Sequence, residues 1–235
     1  MGDYRFYLDR VLTKKRVQEN YALRFDGVDD YCVSSIINYG SPTEVTIETS
    51  FKPTNTLSTN SQFIWTNYDN NSNAGNMLLI NNSSNRIGFH GRNPQYRSVN
   101  IFGELLLGQW NHVAAKIENG WWKIYINGIQ VIESELGNPN WVNTSSAIGR
   151  REDTAQSGTY FDGEIRYVRV WGVALSDTKI LENSGKKING HQLGMIANYN
   201  MNADLGCTLV DESNNNNDMT LMPNCPINSP EWIQL

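Results

Sequence analysis

Hydrophobic and polar positions alternate along much of this chain with the period of two that marks β-strands. The alternation is clearest over residues 161–171, where Val168 and Val170 share one phase and β-branched and aromatic side chains dominate. It predicts a long strand that stops at Gly172, followed by a short helix from Ser176 to Lys187 with the Ser176 hydroxyl as its cap. The phase slips once. Ile165 is out of parity with Val168 and Val170, which calls for a bulge near Arg166 and Tyr167. The strand opens on Phe161-Asp162-Gly163, and residues 23–31 contain the same turn as Phe25-Asp26-Gly27, so the two corners are expected to lie together.

Shorter strands follow one another between turn-forming clusters. Residues 44–51 place Val45, Ile47, Thr49 and Phe51 on one face and polar residues on the other, and Pro53 ends the run. Strands are also expected near residues 63–65, 77–80, 86–89, 98–102, 109–117 and 122–126. Asn127-Gly128 then predicts a tight hairpin into Ile129, with Ile124 and Ile126 turned inward together with Ile129 and Val131 or their neighbours. Residues 195–201, 208–210 and 219–221 return to strand, and Asn214 to Asn217 read as a loop tip. The fold class is therefore all-β, a two-sheet antiparallel sandwich with one short helix. Residues 1–20 form an N-terminal extension, read as a docking hairpin, and residues 21–235 one domain.

Composition sharpens this in two ways. Charged residues make up only 18% of the 235, and the net charge is −5, which argues against broad binding of nucleic acid or anionic membrane. No apolar run approaches the ~20 residues of a membrane helix, and the first residues lack the apolar stretch of a signal peptide. Cys32, Cys207 and Cys225 match no zinc spacing. Cys207 and Cys225 flank an expected hairpin and would pair under oxidation, but free buried thiols are the expected state.

The motifs, in order, now carry a resemblance. Leu23 to Tyr31, Thr46 to Pro53, Trp110 to Ala114, Tyr125 to Gly128, Ile148-Gly149 and Phe161 to Asp177 are similar to the successive elements of the laminin-G-like, concanavalin A-like jelly-roll family. The resemblance covers about residues 21–222. It implies a jelly-roll whose loops or concave sheet recognise glycan or protein without catalysis, and a structural Ca2+ of the kind many members carry. Asp26, Asp29, Asp30 and Asp162 are the candidate ligands, while Arg166 stands where members often have a carboxylate. The plain alternative is that these Asp side chains accept backbone hydrogen bonds in tight turns. Jelly-rolls that hydrolyse glycosides carry Glu-x-Asp-x-x-Glu, and neither the Glu164 nor the Glu133 region reproduces it. His90, His112 and His191 have no Ser or Cys partner at a recognisable spacing.

Seven Trp and eleven Tyr are many for this length, and exposed rings hold sugar faces. Tyr96, Trp121, Tyr125, Trp141 and Tyr160 lie in loops or on polar strand faces and are the candidate ligand-binding aromatics; Trp110, Trp122 and Trp171 are assigned to the core. The expected function is recognition of a cell-surface glycan or protein, with the setting of a phage virion surface component, exposed after release, as one form of it. The alternative is an architectural module that docks to a larger assembly through residues 1–20.

Overall fold

The computed structural model describes residues 21–54, 60–69, 72, 74–81, 85–93, 95–138, 141–151, 159–202 and 206–235. The expected docking hairpin at residues 1–20 lies outside them. In chain order the strands are β1 (Tyr21–Asp26), β2 (Tyr31–Ile37), β3 (Val45–Pro53), β4 (Gln62–Thr66), β5 (Gly75–Asn81), β6 (Arg86–Asn93), β7 (Gln95–Phe102) and β8 (Asn111–Glu118). Next come β9 (Trp121–Ile126), β10 (Ile129–Glu135), β11 (Thr144–Ile148), β12 (Asp162–Trp171), the helix α1 (Asp177–Asn183), β13 (Met195–Asn200), β14 (Thr208–Leu209), β15 (Met219–Met222) and β16 (Glu231–Gln234).

Two eight-stranded antiparallel sheets form the sandwich. The first runs β10-β9-β8-β3-β12-β1-β16, with β13 also paired to β12; the second runs β14-β15-β2-β11-β4-β5-β6-β7. Between them lies one apolar core that includes Phe25, Phe51, Trp65, Phe89, Trp122, Ile165, Val168 and Val170. β12 is central because it pairs with β3 along one side, and with β1 and then β13 along the other.

The phase slip is a real bulge. The β12–β3 register shifts between Ile165 and Tyr167, which returns Val168 to the inner face after Ile165 has already used it. The turn at Asn127 (φ 51°) and Gly128 (φ 85°) has the left-handed pair that a two-residue hairpin requires. The inward pair past that turn is shifted, however: Ile129 is 68% exposed, and Val131 and Ile132 pack on the core instead, because the β9–β10 register slips between Gln130 and Ile132. The helix starts as expected, with Ser176 accepting from the Lys179 amide, but ends at Asn183 rather than Lys187.

The expectation of free thiols needs correction. Cys207 and Cys225 are disulfide-bonded, since β14 and β15 bring their Cα atoms to 5.6 Å, and only Cys32 is a free buried thiol. The polar face of β3 is covered as well. Thr46, Glu48 and Ser50 are buried on the outer side of the first sheet, where α1 and the chain after it fold over the strand. There the Glu48 carboxylate accepts from the Trp171 indole at 2.9 Å and the Asn183 amide at 3.1 Å, and lies 3.4 Å from both Arg169 Nε and His112 Nε2. Burial alone would raise the Glu48 carboxyl, but the Arg169 charge and the bonds from His112 and Asn183 outweigh it and hold it below the usual range.

Candidate functional site

The two Phe-Asp-Gly corners do meet. Phe25 pairs with Gly163 and Asp26 with Asp162 at one end of the sandwich. Gly27 (φ +75°) is needed there twice over, for its left-handed backbone and because a Cβ would stand 2.8 Å from that of Asp162. The chain then turns through the carboxylates. Asp26 Oδ1 accepts from the amides of Val28 at 2.8 Å and Asp29 at 3.3 Å, Asp30 Oδ2 accepts from the Asp26 amide at 3.0 Å, and Asp29 Oδ2 accepts from the Asn228 side chain at 2.8 Å. The turn-stabilising role of these residues is thus present.

The same bonds aim Asp26, Asp29 and Asp30 at one another, with a carboxylate oxygen from each within 4.8 Å of the others. Asp30 is only 6% exposed. Its carboxyl is pushed up to about 6, first by burial and then by the charge of Asp26, with Asp29 adding to it and the Asp26 amide opposing. Asp162 is raised as well, by burial and by Asp26, against the hydrogen bond from the Thr54 hydroxyl.

The outer face of the first sheet continues this end as two short rows, since alternate residues of β1, β12 and β3 point the same way. Asp26, Asp162 and Thr54 form one row; Arg24, Glu164 and Lys52 form the other. Glu164 is held between Arg24 at 3.3 Å and Lys52 at 3.2 Å. These six side chains, with Pro53 and Gly108 beside them, line an open cleft of about 500 Å3. Asp26 therefore belongs to both the carboxylate cluster and the cleft wall.

Three converging carboxylates are the donor type that Ca2+ requires, and a cation there would relieve the like-charge repulsion on Asp30. The residues fit such an ion, with the remaining oxygens of a six- to eight-fold shell to come from backbone or water. Arg166 does not intrude. It sits at the β12 bulge with its guanidinium 4.2 Å from the Trp110 ring, four positions along the strand from Asp162. Trp110 is accordingly half-buried under that cation rather than in the core.

The candidate aromatics scatter. Tyr160 lies at the carboxylate end, 6.3 Å from Tyr31, whose ring carries the Arg150 guanidinium at 3.5 Å. Tyr96 is 55% exposed, but on β7 in the second sheet, with its hydroxyl on His90. Trp121 starts β9 at the other end of the molecule and is half-exposed. Tyr125 and Trp141 must be withdrawn as sugar platforms. Tyr125 is buried under α1, its hydroxyl donating to Asp177 at 2.7 Å, and Trp141 turns inward against Tyr39 and Trp65. The cleft residues Arg24, Lys52, Thr54 and Glu164 were missed by sequence reasoning. Their signal is positional: each lies on the polar phase of a strand within two residues of a corner or strand end.

A profile of the concanavalin A-like lectin/glucanases superfamily, in its laminin-G form, matches residues 26–181, a span that begins at Asp26 within the first corner and includes the whole of the second. The chain belongs to this superfamily. Among solved structures, a candidate carbohydrate-binding protein from Bacteroides ovatus ATCC 8483 superposes with a TM-score of 0.73 at 19% identity, over 93% of this chain. This chain spans 61% of that protein's length. The CBM40 of Ruminococcus gnavus IT-sialidase bound to α2,3-sialyllactose gives 0.54 at 17% identity, covering 70% of this chain and 96% of that one. The heptameric SAP-like pentraxin of Limulus polyphemus gives 0.53 at 16%, covering 69% and 81%. At these identities the likeness is one of fold. Comparison with curated protein sequences finds no match.

Proposed function

We propose that the chain is a non-catalytic carbohydrate-binding module, with Asp26, Asp29 and Asp30 holding a calcium ion at the edge of the cleft that receives the sugar. The observation that carries this is the double membership of Asp26, whose side chain belongs to the carboxylate cluster and to the cleft wall. A bound cation would supply a charge for hydroxyl oxygens at that edge. The chain's own groups complete the set: Glu164 and Asp162 accept from sugar hydroxyls, and Arg24 and Lys52 donate to ring or carboxylate oxygens. Glu164 is already paired with two cations and Asp162 with Thr54, which suits both to holding a ligand rather than moving protons. The Bacteroides ovatus and Ruminococcus gnavus neighbours support the reading, since both are described as carbohydrate-binding.

A glycan array followed by calorimetry of the best hit, with calcium and with EDTA, tests this. Saturable binding that EDTA and Asp26→Ala both weaken at least tenfold is the expected result. An architectural module acting through residues 1–20 would show no saturable binding in either condition.

A further inference from the structure

The opposite end of the sandwich holds another cleft, of about 640 Å3, made by the segments that follow β2 and β12, the start of β13 and the loop after β14. Asn38, Tyr39, Pro42, Ile196, Asn215 and Asn217 line it, with Gly172 and Gly194 keeping part of its wall free of side chains. None of these residues is charged. The amides are also partly spent in a defined way. Asn215 Nδ2 donates to the carbonyls of Met195 at 3.0 Å and Ile196 at 2.9 Å, and Asn217 Nδ2 to Ile196 at 2.9 Å. Asn38 Oδ1 accepts from the Gly40 amide at 3.0 Å. These bonds use the nitrogen ends of Asn215 and Asn217 and the oxygen end of Asn38. Among the described residues, two amide oxygens and one amide nitrogen are left to the solvent of this open cleft, since Asn38 and Asn215 are exposed and Asn217 half-buried.

The loop that presents Asn215 and Asn217 is fixed beforehand. The buried Asp211 carboxylate accepts from the amides of Asn198, Ser213 and Asn217 and from the Ser213 hydroxyl, all at 2.8–3.1 Å. Asn214 (φ 70°) and Asn216 (φ 57°) take left-handed backbone on either side of Asn215, a conformation that costs energy outside glycine. Capping the edge of β13 uses the nitrogen ends; the oxygen ends stay in solvent at the cleft, where a ligand hydroxyl can take the place of water. A cleft of this size with a few convergent polar groups on rigid backbone is the ordinary form of a small-ligand site. Its neutral lining offers no counter-charge to an ion, and its mixed acceptors and donor match hydroxyl groups.

We propose that this cleft is a second saccharide site, one that takes an uncharged sugar without a metal. It uses a different end and different chemistry from the carboxylate site and does not rest on it. The test is titration of the full chain with maltotriose, cellotriose, xylotriose and lactose in millimolar EDTA, followed by calorimetry and amide NMR. Saturable binding by at least one of these sugars, unchanged in Asp26→Ala and at least tenfold weaker in Asn38→Trp, which fills the cleft mouth, is expected. Asn38→Ala, which removes only the free nitrogen and the bond to Gly40, should weaken it three- to tenfold and serves should the tryptophan variant misfold. The proposal is overturned by absence of binding to all four sugars in EDTA, by parent affinity in both Asn38 variants, or by binding that Asp26→Ala abolishes.

Discussion

The two ends of the sandwich are built from the same short side chains in opposite electrical states. At one end Asp26, Asp29 and Asp30 crowd like charges together and the fold raises the Asp30 carboxyl rather than neutralise it within the cluster. At the other, a single buried carboxylate, Asp211, is saturated with donors and holds a neutral amide loop. The difference teaches where each end stores its free energy. The acid of the amide end has all its donors in place, so removing it should unfold that end, whereas the carboxylate end is frustrated and should respond to protons and cations.

The largest effect is therefore expected at Asp211. Asp211→Ala leaves buried donors without an acceptor, and hydrogen bonds to charged groups contribute about 1.5–3 kcal/mol each, non-additively, so a loss of roughly 4 kcal/mol is expected in urea unfolding. Asp211→Asn, which keeps one acceptor oxygen, should lose about half of that. A loss under about 1 kcal/mol for the alanine would dissolve the contrast. Next comes the covalent tie between the ends: the disulfide closes the chain around the Asn loop, and the segment beyond Cys225 delivers Asn228 to Asp29. With the cysteines 18 positions apart, replacing both by Ala should cost about 3 kcal/mol. Urea unfolding of Cys207→Ala/Cys225→Ala beside the parent measures it.

Legibility followed locality. The β12 bulge could be read from Ile165, because a period of two exposes a one-residue slip, and the carboxylate end could be read from two Asp-Gly corners that each form within a few residues. What folds over a strand is not written in that strand. Glu48 alternates as a solvent residue would, yet Trp171, Asn183 and Arg169 arrive from far along the chain to bury it. Tyr125 is hidden by the same helix. The Asn tract showed only as a turn, since its partner is the backbone of β13 and carries no side-chain pattern. The cysteine pair likewise depended on β14 and β15 meeting in space.

Calcium should act on one end only. An ion that binds the folded cluster at a hundred times its Kd stabilises by about 2.7 kcal/mol, a rise of several degrees in Tm, and Asp30→Asn should abolish that rise while Asp211→Asn leaves it intact. Without the metal, the smaller and more discriminating effect is the pH dependence. The folded Asp30 carboxyl titrates near 6 against an unfolded value of 3.8, so the native state binds this proton more tightly. Its contribution is fully present below about pH 3.8 and is lost as pH rises through 6, which means that this group makes the metal-free fold less stable at pH 7 than at pH 5. In EDTA, Asp30→Asn should therefore flatten the stability difference between pH 5 and pH 7 by about 1 kcal/mol and, by removing a buried like charge, hold or raise stability at pH 7. Parallel urea titrations at the two pH values measure this; a parent slope unchanged by Asp30→Asn would mean that the carboxylate end is as settled as the amide end, and the contrast between them would be one of composition alone.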